Sequence, residues 1–86
     1  MENEIKKALQ IIAEVGENDG VCTRVYIDTY SSNGYDCLAV GYCNDNPNDF
    51  LTFWQDENDD NFHTRSWNEL TYEEKIAIFL RLPFNV

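Results

Sequence analysis

Asn33-Gly34 separates two runs rich in β-branched and aromatic residues, and no other dipeptide limits the fold of this chain so tightly. Both residues accept the positive φ of a type I′ turn, whose twist matches that of paired strands, so the dipeptide predicts a hairpin. With the turn centred there, Ser32 pairs with Tyr35, Thr29 with Leu38, Ile27 with Val40 and Val25 with Tyr42. The apolar residues of both strands then share one face, although the turn alone sets the register. Cys22, Arg24, Tyr26, Asp28, Tyr30, Cys37, Ala39, Gly41 and Cys43 are expected on the other face.

The remaining elements follow from periodicity. Ile5, Ala8, Leu9, Ile12 and Val15 recur at helical spacing and Gly16 follows, which predicts a helix over residues 2 to 15. Glu17-Asn18-Asp19-Gly20 reads as a polar turn. A second hairpin is expected from Phe50 to Ser66, around Asn58-Asp59-Asp60-Asn61. With Asp59-Asp60 at its centre, Leu51, Phe53 and Phe62 share the core face, while Trp54 faces Arg65 and Asp56 faces His63 on the other. Thr71-Tyr72-Glu73-Glu74 matches a capping box, Tyr72, Ile76, Phe79 and Leu80 form an apolar stripe, and Pro83 ends the last helix. The expected fold is α+β: one domain over residues 1–86, in the order helix, four antiparallel strands, helix, with both helices on one face of the sheet.

Charge narrows the function. From Val25 to Thr64 the chain carries eight carboxylates, Asp28, Asp36, Asp45, Asp49, Asp56, Glu57, Asp59 and Asp60, and no lysine or arginine. Tyr26, Tyr30, Tyr35, Tyr42, Phe50, Phe53 and Trp54 lie among them, so the stretch reads as a folded acidic surface rather than a disordered tail. A formal charge of −10 with six Lys and Arg disfavours direct contact with nucleic acid or an anionic membrane. A cationic protein surface is the natural opposite. There is no apolar core of signal-peptide length and no run of about eighteen apolar residues, which predicts a soluble cytoplasmic chain. Three cysteines, an odd number, argue against a secreted disulfide framework, while one bridge plus a free thiol stays compatible with the count.

Chemistry finds less support. Zinc would need clustered thiolate and imidazole ligands, but no Cys-x-x-Cys or His-x-x-x-His spacing occurs, and Cys37 and Cys43 lie roughly 20 Å apart along one strand. Cys22 and Cys43 are expected as diagonal neighbours, near enough to consider a bridge. For nucleophilic catalysis Cys37, His63 and Asp56 are the obvious trio, yet nothing in the sequence brings Cys37 to the other two. Asp56-Glu57-Asn58-Asp59-Asp60 places oxygen ligands as a calcium loop does, then fails at Asn61, where glycine is needed, and at Trp67, where a bidentate glutamate is. The expectation is no enzyme, no metal and no cofactor.

The leading functional expectation is an inhibitory or regulatory protein whose anionic strands and loops dock into a cationic groove of a partner, of the kind that holds nucleic acid. Asp45, Asp49, Asp56, Glu57, Asp59 and Asp60 are the expected contacts, with Trp54 as an aromatic anchor. Eight carboxylates match the charge of only about 14 Å of duplex, enough to plug a local groove but not to imitate a long one unless the chain forms a homodimer. In size and charge, though through no motif, the chain resembles phage-encoded nucleic-acid mimics and anti-defence inhibitors, anti-CRISPR proteins among them. The alternative is a cytoplasmic adaptor or immunity-type protein that uses Tyr26, Tyr30 and Trp54 on an open aromatic sheet face.

Overall fold

Asn33 and Gly34 both take positive φ, 55° and 80°, and reverse the chain as their sequence predicts. In the computed structural model, which describes residues 1–86, they join β2 (Cys22–Ser32) to β3 (Tyr35–Cys43). Around this hairpin stand α1 (Glu2–Val15), β1 (Glu17–Asn18), β4 (Leu51–Asp56), β5 (Phe62–Ser66), a 3-10 turn (Trp67–Glu69) and α2 (Tyr72–Phe79). The five strands form one antiparallel sheet in sequence order.

The sheet has one strand more than the expected four. Glu17 and Asn18, read as part of a turn, pair with Arg24 and Thr23, and Asn18 Nδ2 donates to Thr23 Oγ1 at 2.8 Å. The reversal falls just after them: Asp19 accepts the backbone N–H groups of Val21 and Cys22, and Gly20 has a φ of 94°. These two N–H groups, first that of Cys22 and then that of Val21, hold the Asp19 carboxyl below its ordinary range, with Arg24 adding to them against some desolvation.

Helix α1 spans the expected residues and buries Ala8, Leu9 and Ile12. Gly16 ends it by close approach rather than by a left-handed turn: its backbone is extended, and a Cβ there would lie 2.5 Å from Ile12 O and 2.9 Å from Thr23 Cγ2. Only glycine lets the chain leave the helix this near β2.

Two irregularities redraw the expected sheet. In β2 the residues between Tyr26 and Tyr30 stand opposite Leu38 alone, so the expected pairs Thr29 to Leu38, Ile27 to Val40 and Val25 to Tyr42 give way to Val25 with Val40 and Thr23 with Tyr42. The strands come back into register at Tyr30 with Cys37, but the alternation of β2 breaks within the stretch: Tyr26 pairs with Ala39 on the far face, whereas Tyr30 packs against Trp54 on the helix side. In β3, Cys37 to Ala39 oppose Trp54 and Phe53, a single extra residue at Leu38. One extra residue reverses the alternation. Cys37 and Val40 therefore share the helix side, and Trp54, paired with Cys37, joins them, while Phe53 turns to the far face beside Ala39. The expected assignment of Phe53 to the helix-packed core and Trp54 to the open face is inverted.

The β4–β5 turn lies one position earlier than expected, so Trp54 pairs with His63 and Thr52 with Arg65, instead of Trp54 with Arg65 and Asp56 with His63. Ile12 of α1 and Ile78 of α2 meet Val25, Cys37, Val40 and Trp54 in one core, placing both helices on the same side of the sheet. Trp54 Nε1 donates to Thr52 Oγ1 at 2.6 Å, and that hydroxyl donates to Arg65 O at 3.0 Å, so the buried indole is satisfied.

Helix α2 begins with the capping box read at Thr71 and Glu74. Its buried side is Glu74 and Ile78, however; of the expected stripe Ile76 and Phe79 are half-buried, Phe79 against the core, while Tyr72 and Leu80 are 76% and 77% exposed. The reason is the Glu74 carboxylate, which accepts the Thr71 N–H at 3.0 Å and meets Arg65 Nη1 at 3.1 Å. An ion pair to β5 turns the helix. Burial pushes the Glu74 carboxyl up, but the Thr71 N–H and the Arg65 guanidinium outweigh it and leave the group below its ordinary range.

Candidate functional site

The fold sorts the acids by end of the sheet. Tyr35 pairs with Asp56, and the Glu57 N–H donates to Gly34 O at 3.0 Å, which seams the β4–β5 turn to the tip of the β2–β3 hairpin. Asp36, Asp56, Glu57, Asp59 and Asp60 thereby gather at one end. Within the turn Asp56 accepts the Asn58 N–H and Asp59 accepts the Asn61 N–H, each at 2.8 Å, while Ser31 donates to Asp36. Glu57, Asp59 and Asp60 are exposed, and Asp36 and Asp56 are half-buried.

Asp45 and Asp49 are not part of this cluster. They lie in the loop between β3 and β4, at the other end of a strand that spans about 30 Å at the usual rise per residue. Asp45 is exposed and has a φ of 53°. Asp49 lines a groove of about 610 Å³ with Lys6, Lys75, Phe50, Trp67 and Tyr72, so it stands among lysines rather than in a one-signed patch. Asp28 projects from the irregular stretch of β2.

The arginines are committed elsewhere. Arg24 meets Asp19 at 3.5 Å and lies over the Phe53 ring, Arg65 meets Glu74, and Arg81 lies over the Tyr30 ring and donates to Ala77 O at 2.7 Å. None of the six cationic side chains belongs to the two acidic turns. The charge is segregated within the folded chain, and not merely along the sequence.

Trp54 is 1% exposed, with Arg65 stacked over its ring at 5.0 Å, so it is a core residue and not an accessible anchor. Tyr30 packs edge-on against it, whereas Tyr26 is 55% exposed on the far face. The expected aromatic platform of Tyr26, Tyr30 and Trp54 is split between two sides of the sheet.

Cys22 and Cys43 stand directly opposite, 3.9 Å apart by Cα, and form a disulfide, where a diagonal relation was expected. The two-residue slip at Ile27 to Thr29 brings them into register, and nothing in the local sequence announces it. Cys37 is free and fully buried, and burial pushes its thiol up to about 12. His63 lies exposed with its ring edge-on to Tyr35, and Asp56 pairs with Tyr35, so Cys37, His63 and Asp56 do not assemble. No group of three or more His, Cys, Asp or Glu side chains converges as a metal site, and no helix is long and apolar enough to cross a membrane.

No protein-family model, curated protein or solved structure matches this chain.

Proposed function

We propose that this chain is a protein-binding inhibitor or regulator whose acidic end inserts into a cationic groove of a partner protein. One observation carries the reading: Asp36, Asp56, Glu57, Asp59 and Asp60 are held at one end by the β3–β4 pairing and by the Glu57 to Gly34 backbone hydrogen bond between neighbouring turns, with no cation on either turn. A fixed cluster presents its charge without the ordering cost of a flexible acidic tail. Five carboxylates match the charge of roughly 8 to 9 Å of duplex, so the partner's groove is local and the chain blocks a site rather than imitating a long track. Asp45 and Asp49, at the far end, lie outside the proposed contact.

The field of −10 disfavours direct nucleic-acid or membrane contact and favours fast encounter with a basic protein. A cytoplasmic site of action belongs to the same proposal. The Cys22–Cys43 bridge attaches a condition to it, because a reducing compartment holds such a pair as two thiols.

The test is a pull-down from the source cell with three baits, eluted by rising salt. Wild type is expected to retain basic proteins, a D45N/D49N bait to retain the same set, and a D56N/E57Q/D59N/D60N bait to lose it. Equal retention by the last bait at matched salt overturns the proposal.

A further inference from the structure

The outer edge of β5 is open, and the ladder shows which of its groups are free. Trp67 N–H donates to Phe50 O at 2.9 Å and Asp56 N–H to Asn61 O at 3.2 Å, so these two pairs are hydrogen-bonded ones. Alternation makes Thr52 with Arg65 and Trp54 with His63 the bonded pairs between them. Phe62, Thr64 and Ser66 occupy the intervening positions, where backbone groups point away from β4. The Ser66 N–H is taken by the Glu69 carboxylate at 2.9 Å. Ser66 is also the N-cap of the 3-10 turn, which takes up its C=O, so the N–H and C=O of Phe62 and of Thr64 remain in a row along the edge.

The opposite edge of the sheet is guarded and this one is not. There β1 covers Thr23 and Arg24, and the irregular stretch around the exposed Asp28 breaks the line. Short cover, bulges and charges are the usual devices that keep sheet edges from pairing. Strand β5 has no proline, lysine, acid or bulge, and it exposes Phe62 at 62%. Its one cation, Arg65, is held by Glu74. Asp56, Glu57, Asp59 and Asp60 precede the edge in the chain, and Glu69 and Glu73 follow it.

We propose that β5 is a docking edge on which an extended, lysine- or arginine-bearing segment of the partner protein adds as a sixth strand. Free N–H and C=O groups of Phe62 and Thr64 give main-chain pairing, Phe62 gives an apolar contact, and the acidic turns select the basic residues. This deepens the proposed function and rests on its acidic end. A second copy of the chain fits the same edge less well, since each copy carries a charge of −10.

The probe is a dye-labelled peptide of roughly ten residues, alternating lysine and valine with blocked ends, long enough to span β5. Binding is followed by fluorescence anisotropy at about 150 mM salt, where long-range attraction is screened. Thr64→Pro removes an outward N–H without touching the bonds to β4, and proline is tolerated at such edge positions. Thr64→Pro and N-methylation of the central peptide amides are each expected to weaken binding by about tenfold or more, the loss appropriate to main-chain pairing. D56N/E57Q/D59N/D60N is expected to weaken it and flatten its salt dependence.

If the methylated peptide binds wild type as tightly as the plain one, the edge is not used, whatever Thr64→Pro does to folding. Loss with the neutralised variant alone then leaves the acidic end standing and overturns only the added strand. Loss on methylation with full binding by the neutralised variant overturns the charged half, and with it the reading beneath. A dimer in sedimentation that Thr64→Pro abolishes, with no peptide binding, replaces the basic segment by a second copy and overturns this proposal.

Discussion

Glu74 shows how one side chain sets the pose of an element. Its carboxylate is 6% exposed and shared between the Thr71 N–H and Arg65, and its folded pKa lies below the ordinary 4.5. A carboxyl with a depressed folded pKa adds stability that is fully present above its unfolded pKa and is lost as pH falls through the folded one. Unfolding titrations of wild type should therefore lose stability below about pH 4.5, with Glu74 among the contributors. Glu74→Gln keeps the size and loses the charge. It is expected to cost about 1 to 2 kcal/mol at pH 7, discounted because Arg65 is 35% exposed, and to flatten the acid limb of the pH profile. An unchanged acid limb in denaturant melts of the variant would place that sensitivity in other carboxylates. The spacing of Thr71 and Glu74 makes the capping box readable in the sequence. That the same glutamate is buried against Arg65 depends on a strand pairing that spacing does not encode.

At the scale of elements, legibility followed locality. Helix α1, the Asn33-Gly34 turn and the start of α2 rest on signals within a few residues, and each is where its sequence places it. The faces of β4 and α2 rest on tertiary events: one extra residue at Leu38 inverts β4 relative to the expected core, and the Arg65 ion pair rotates α2. Alternation along β4 is regular, yet Trp54 lies on the helix side rather than on the expected open face. The rotation of α2 can be measured. Ile78→Ala, in a position with no exposure, is expected to cost about 2 to 4 kcal/mol, whereas Leu80→Lys, at 77% exposed, should stay within about 0.5 kcal/mol. Equal costs in chemical denaturation would instead support the stripe read from the sequence. The hairpin makes a second prediction. Cys22 and Cys43 close a loop with a sequence separation of 21, for which chain entropy gives about 3 kcal/mol, so reduction should lower stability by up to that amount while leaving the strands paired. Circular dichroism with and without reductant, alongside a Cys22→Ser/Cys43→Ser variant, checks both halves.

Across the whole molecule, stability and function pull the acidic end in opposite directions. The chain extends 33 Å, close to the screening length of about 30 Å at 0.01 M salt and well beyond the roughly 8 Å at 0.15 M. In dilute buffer, then, the excess carboxylates repel one another within the acidic end and across the molecule, and added salt should raise the melting temperature. Asp→Asn exchange retains the Oδ1 acceptor that Asp56 offers to Asn58 and Asp59 to Asn61, so the turn survives neutralisation while its charge does not. D56N/E57Q/D59N/D60N is accordingly expected to melt no lower than wild type at 0.01 M salt, to gain less from added salt, and to bind a basic partner more weakly. Charges kept only for folding would give the reverse, a variant that loses stability; charges kept only for solubility would lower solubility and leave binding alone. A cluster whose removal stabilises the chain and weakens its binding is one held in place for recognition. Parallel melts and anisotropy titrations on one preparation separate the three cases, and a fall in both stability and binding would return the acidic turns to a structural role.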